Sequence, residues 1–82
     1  MTEQQHQLAQ RINRLVRRAG GGSDESLLAG MADHMPLFKQ LLDTSTETEM
    51  HELVETYPAF GRYARVLDRL AKRLEARKRR ER

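Results

Sequence analysis

Between Glu3 and Ala19 the apolar residues Leu8, Ile12, Leu15, Val16 and Ala19 recur at steps of four, three, one and three. That spacing gathers them on one side of an α-helix. Thr2 and Gln5 stand as a capping box, in which the threonine hydroxyl and the glutamine side chain satisfy backbone N–H groups at the helix start. Gly20, Gly21 and Gly22 stop this helix, because three residues without a Cβ lose too much backbone entropy to stay helical. The run reads as a hinge inside one domain.

Ser23 is a good N-cap, and Asp24 and Glu25 follow where the helix dipole favours acids, so a short helix is expected from Asp24 to about His34, burying Leu27, Leu28 and Met31. Pro36 disfavours helical geometry at Met35 and suits a first-turn position. It is expected to open a third helix that presents Leu37, Phe38, Leu41 and Leu42 and ends near Asp43. Thr44, Ser45 and Thr46 break the chain again. Thr46 with Glu49 forms a second capping box, leading a helix through Met50, Leu53, Val54 and Tyr57 that Pro58 ends or kinks.

The last helix, from near Ala59 or Gly61, carries the strongest pattern. Phe60, Tyr63, Leu67, Leu70 and Leu74 step by three, four, three and four, a heptad seam that asks for a helical partner. Beyond Leu74 the seam stops, and residues 75–82 form a basic tail expected to project into solvent or fray. Neither strand-type alternation nor an internal repeat is present. The expected architecture is all-α: a small bundle of four to five helices in a single domain over residues 1–74, its longer terminal helices packing around short middle ones or pairing across a homodimer.

Composition sharpens this picture. The chain has 82 residues, 38% of them hydrophobic, and no cysteine. So short a chain buries a modest core, and neither a disulfide nor a thiolate metal site is available to staple it. The first ten residues have neither a basic nor an apolar signal region, and no apolar run approaches the roughly 20 residues of a membrane span, so a cytoplasmic, soluble protein without a membrane partner is expected.

The net charge of +3 conceals segregation. Residues 1–19 carry four Arg against Glu3 (+3), residues 20–60 eight acids against Lys39 (−7), and residues 61–82 ten bases against Asp68, Glu75 and Glu81 (+7). Opposite blocks can neutralise each other within the fold or across a dimer, so the basic block does not by itself imply a nucleic acid.

Candidate chemistry is sparse. With no cysteine, and with Ser and Thr placed as caps, nucleophilic catalysis is not expected, and no phosphate-binding or dinucleotide fingerprint is present. The Gly-Gly-Gly-Ser run at 20–23 could cradle an anion, but Asp24 and Glu25 repel one there. Glu47, His51 and Glu55 share a helix face, yet their spacing matches neither H-E-x-x-H nor the E-x-x-H of di-iron bundles, and a solvated face explains them. His6 and His34 are expected at the surface. No catalytic residue, metal, cofactor or small-molecule substrate is expected.

Two functions follow. The first is a small non-enzymatic interaction or regulatory protein presenting helical surface to a protein partner or to its own copy, with Phe60, Tyr63, Leu67, Leu70 and Leu74 as the interface. The alternative is a small nucleic-acid-binding regulator using Arg69, Arg73, Arg77, Lys78, Arg79 and Arg80 on phosphates. Against the alternative stand Glu47, Glu49, Glu52 and Glu55, which would repel DNA in a helix-turn-helix reading. The basic run also follows the heptads rather than preceding them, and aromatics for base stacking are absent beyond Tyr63.

Overall fold

The computed structural model describes residues 1–20 and 22–80, so Gly21 of the glycine hinge and the last two positions of the basic tail lie outside the described residues. The described chain forms helices α1 (Glu3–Ala19), α2 (Asp24–Met31), α3 (Met35–Thr44), α4 (Glu47–Thr56) and α5 (Pro58–Arg80), with a short 3-10 turn over Ala32–His34. Among the described residues there is no strand, and the all-α bundle expected from the sequence is the observed fold.

Local signals set the boundaries. At α1 the Thr2 N–H donates to Gln5 Oε1 at 2.7 Å and the Gln5 N–H donates to Thr2 Oγ1 at 3.3 Å. At α4 the Thr46 N–H donates to Glu49 Oε1 at 2.9 Å and the Glu49 N–H to Thr46 Oγ1 at 3.1 Å. The Thr46 amide holds the Glu49 carboxyl below the usual carboxylate range, because the bond favours the charged form. Ser23 caps α2 by accepting from the Ser26 N–H at 3.1 Å.

α5 opens at Pro58 itself, and the passage from α2 to α3 departs from expectation: α2 ends at Met31 rather than near His34. Met35 is right-handed helical (φ −53°, ψ −37°) although it precedes Pro36, so the chain passes from the 3-10 turn into α3 without an extended residue. Proline disfavours that geometry. Here packing prevails, since the continuous path sets Leu37, Phe38 and Leu41 against the core. Tyr57, before Pro58, obeys the rule with φ −119° and ψ 95°, which makes a one-residue corner between α4 and α5.

α1 and α5 are the long elements. α1 packs on α5, α3 and α2, and α5 packs on α4, α1 and α2. Between them lies a core of Ala9, Ile12 and Val16 from α1, Leu27 and Met31 from α2, Leu41 from α3, Leu53 from α4, and Phe60, Tyr63 and Val66 from α5. On α1 the buried line runs Gln5, Ala9, Ile12, Val16, so it is Ala9 and not the exposed Ala19 that enters the core, and Leu8 and Leu15 flank it half-buried.

Polar residues of α1 fasten the ends of other helices. Gln5, itself buried, donates from Nε2 to the Thr44 carbonyl at 3.2 Å and to Ser45 Oγ at 2.9 Å, covering the end of α3. His6 Nδ1 lies 2.9 Å from the Tyr57 hydroxyl, and Gln10 Nε2 donates to the same oxygen at 3.3 Å. His6 is therefore half-buried at the α4–α5 corner rather than free at the surface, and His34 is also only partly exposed.

Asn13 Oδ1 accepts the Phe60 N–H at 2.9 Å, in the first turn of α5. Tyr57 precedes that helix and its side chain cannot cap it, so a residue of α1 supplies the missing acceptor. Asn13→Ala is expected to lower stability by about 1–2 kcal/mol, read as a shift of the urea midpoint with an unchanged slope. A shift of the size seen for exposed alanine substitutions would mean that the bond contributes nothing.

Tyr63 shows the opposite condition. Its ring meets Phe38 edge-on at 5.5 Å between centroids, yet its buried hydroxyl has no hydrogen-bond partner among the described residues. Burial pushes its phenol above the ordinary value. A desolvated hydroxyl without a partner costs about 1–3 kcal/mol, so Tyr63→Phe is expected to raise stability by about 1 kcal/mol and with it the thermal midpoint. A fall instead would reveal a partner for the hydroxyl in solution.

Candidate functional site

The seam of α5 is divided by the fold. Phe60 and Tyr63 are fully buried within the chain, and Leu67 is partly buried against the same core. Phe60 and Tyr63 therefore cannot serve as an interface to a partner, because α1 and the middle helices already cover them. Leu70 is half-buried, and Leu74 is 50% exposed. Beyond Leu70 every described residue from Ala71 to Arg80 is exposed while remaining helical. The basic run thus continues the same helix as the core residues, standing about 15 Å beyond the bundle at 1.5 Å per residue.

This segment carries Lys72, Arg73, Arg77, Lys78, Arg79 and Arg80 against Glu75. Basic side chains at a helix C-terminus suit the dipole, and that favours the helical state of these turns. At 100° per residue, Arg62, Arg65, Arg69, Arg73, Arg77 and Arg80 fall in one sector of about 120° along the helix. Lys78, Arg79, Asp68 and Glu75 lie outside that sector.

The two ends of the stripe differ. Arg62 Nη2 donates to the Gly22 carbonyl at 2.8 Å, and Arg69 Nη2 pairs with Asp24 Oδ2 at 2.9 Å. Both contacts clamp the α1–α2 connection onto α5, where Gly20 (φ 87°) and Gly22 (φ 123°) take conformations that side-chain-bearing residues avoid. Arg69 thus holds an acid of its own chain. Among the described residues Arg65, Arg73, Arg77 and Arg80 form no ion pair. Lys72 pairs with Asp68 of its own helix at 2.9 Å. Among the described pairs, Arg69–Asp24 is the contact that joins α5 to the acidic middle segment, so the opposite charge blocks largely face solvent. The sequence pattern identified the basic residues; it held no signal that Asp24 would meet Arg69, 45 positions away.

The remaining polar features are less organised. His51 Nε2 stands 3.9 Å from Glu47 Oε1 with both side chains well exposed, and no group of three His, Asp or Glu among the described residues is placed to hold a metal. A groove of about 710 Å³ between α1 and α3 is lined by Gln4, Gln7, Gln10, Arg11, Arg14 and Gln40, among others, and is widely open to solvent. No helix among the described residues is long and apolar enough to cross a membrane. Comparison of the chain with protein-family models, with curated proteins and with solved structures gave no match.

Proposed function

We propose that this protein is a non-enzymatic interaction module whose binding element is the projecting C-terminal half of α5, presented to a macromolecule with an acidic surface. The observation that carries this reading is the exposed, helical, strongly basic run from Ala71 to Arg80, held out by a helix whose first half is locked in the core. A helix anchored in this way presents its charges in a preorganised line, which lowers the entropy lost on binding.

A homodimer through the seam is less favoured. Stable interfaces bury about 800 Å² per partner, and the part of the seam left open reduces to Leu70 and Leu74. The chain is expected to sediment as a monomer at high micromolar concentration.

Retention on immobilised heparin, a dense polyanion, tests the binding element. The full chain is expected to elute at high salt, and the full chain bearing Arg77→Gln, Lys78→Gln, Arg79→Gln and Arg80→Gln at markedly lower salt with an unchanged circular dichroism spectrum. Equal elution of the two would remove the helix end as the binding element.

A further inference from the structure

Resting on that reading, we infer that the partner of α5 is a nucleic-acid duplex, contacted along its phosphate backbone by the arginine stripe Arg65, Arg73, Arg77 and Arg80, and that Asp24 limits this binding by holding Arg69. Four considerations lead there.

The first is the kind of charge. Every charged residue in the sector from Arg62 to Arg80 is an arginine, and the guanidinium fork is the side chain that meets phosphate with two parallel hydrogen bonds. The second is its length. From Arg62 to Arg80 the stripe runs about 27 Å along a straight helix, a rigid line of like charge that needs a partner of matching charge density. A duplex offers one phosphate charge per about 1.7 Å of its axis.

The third consideration separates this partner from a protein. Protein interfaces are centred on buried aromatic or aliphatic anchors with charge at the rim. After Leu74 the projecting turns contain no apolar residue larger than Ala76. They also contain no aromatic on which an unpaired base could stack, which disfavours single strands.

The fourth answers the repulsion expected from the acids of α4. That helix is ten residues long and meets α5 through a one-residue corner, so it reaches no further along α5 than about Leu67. Arg77 and Arg80 lie about 15–20 Å beyond that point, outside the Debye length of about 8 Å at physiological salt. Asp24 and Glu25, by contrast, line a shallow cleft between α2 and α5 together with Arg69 and Arg73 of the stripe. Asp24 stands where a phosphate oxygen would, 2.9 Å from the Arg69 guanidinium. A bound duplex must displace it or leave Arg69 out.

The test is fluorescence anisotropy of the full chain with labelled 20-base-pair DNA and RNA duplexes of mixed sequence, with a single-stranded oligonucleotide and poly-glutamate as comparison probes. Micromolar or tighter binding to duplex is expected at ~50 mM salt, weakening about 150-fold at ~200 mM if the four arginines neutralise about four phosphates. Whichever duplex binds more tightly identifies the natural form.

Two pairs of variants with equal charge change are then compared. Arg77→Gln with Arg80→Gln is expected to weaken binding at least tenfold more than Lys78→Gln with Arg79→Gln, since only the first pair lies on the stripe. Asp24→Asn, which releases Arg69, is expected to tighten binding about tenfold at ~50 mM salt and to steepen the salt slope by about one. Equal losses from the two pairs would overturn the helix-face assignment, and single-strand binding equal to duplex would overturn the duplex assignment. Binding of poly-glutamate but not of duplex, with the same face dependence, would overturn the nucleic-acid assignment and leave the docking helix standing. No binding of any probe would overturn both.

Discussion

Phe60→Ala is expected to lower stability by about 3–5 kcal/mol, whereas Leu74→Ala, on the same heptad seam, changes it by less than about 0.5 kcal/mol. Phe60 is fully buried and its ring lies 5.8 Å from that of Phe38, while Leu74 is 50% exposed. Removing the phenyl ring forfeits its transfer free energy and leaves a void that the surrounding helices close only in part. A chain of this length has a total stability of roughly 4–12 kcal/mol, so the Phe60 variant should be partly unfolded at physiological temperature. Denaturant unfolding of both variants at two protein concentrations checks this. Equal losses would place the seam's outer end in the core. A Leu74 loss that grows with protein concentration would place it between copies of the chain.

Gly61→Ala is the second large effect, and its sign runs against helix propensity. Within a helix, alanine is favoured over glycine by about 1 kcal/mol, so a gain would be expected from α5 alone. A Cβ at Gly61, however, would stand 2.6 Å from the Val54 carbonyl oxygen and 3.0 Å from Val54 Cγ1. The first of these belongs to the backbone of α4, so no rotamer change relieves it, and the two helices must move apart at their joint. Overpacking costs about 1–3 kcal/mol, and a clash with a backbone atom lies at the upper end of that range, so about 3 kcal/mol is set against the roughly 1 kcal/mol that propensity returns. A net loss of about 2 kcal/mol is expected, with a further loss for Gly61→Val, whose branched Cβ adds bulk at the same point. Measured midpoints for the two variants check the order. A stabilised Gly61→Ala would mean that α4 and α5 do not approach at this glycine in solution.

These two positions show where sequence reasoning reached and where it ended. Helix starts at Thr2, Ser23 and Thr46, the stop at the glycine run and the corner at Pro58 were legible, because each depends on bonds or sterics among residues within four positions of one another. The amphipathic period of α5 was legible for the same reason, and so was its basic charge. What periodicity cannot supply is which other element covers an apolar face. The heptad seam read as one continuous surface, yet its first two members became core and its last remained open, since α1 and the middle helices cover only the near half of α5. Likewise Ala9 rather than Ala19 entered the core, and Met35 stayed helical before proline. The Asn13 cap on Phe60, the close approach at Gly61 and the Arg69–Asp24 pair arise only when segments far apart in the chain are brought together. The sequence by itself thus determined the helices, their ends and their charge. Only the tertiary structure decided which faces those helices share, because covering an apolar surface is a property of pairs of helices and not of either alone.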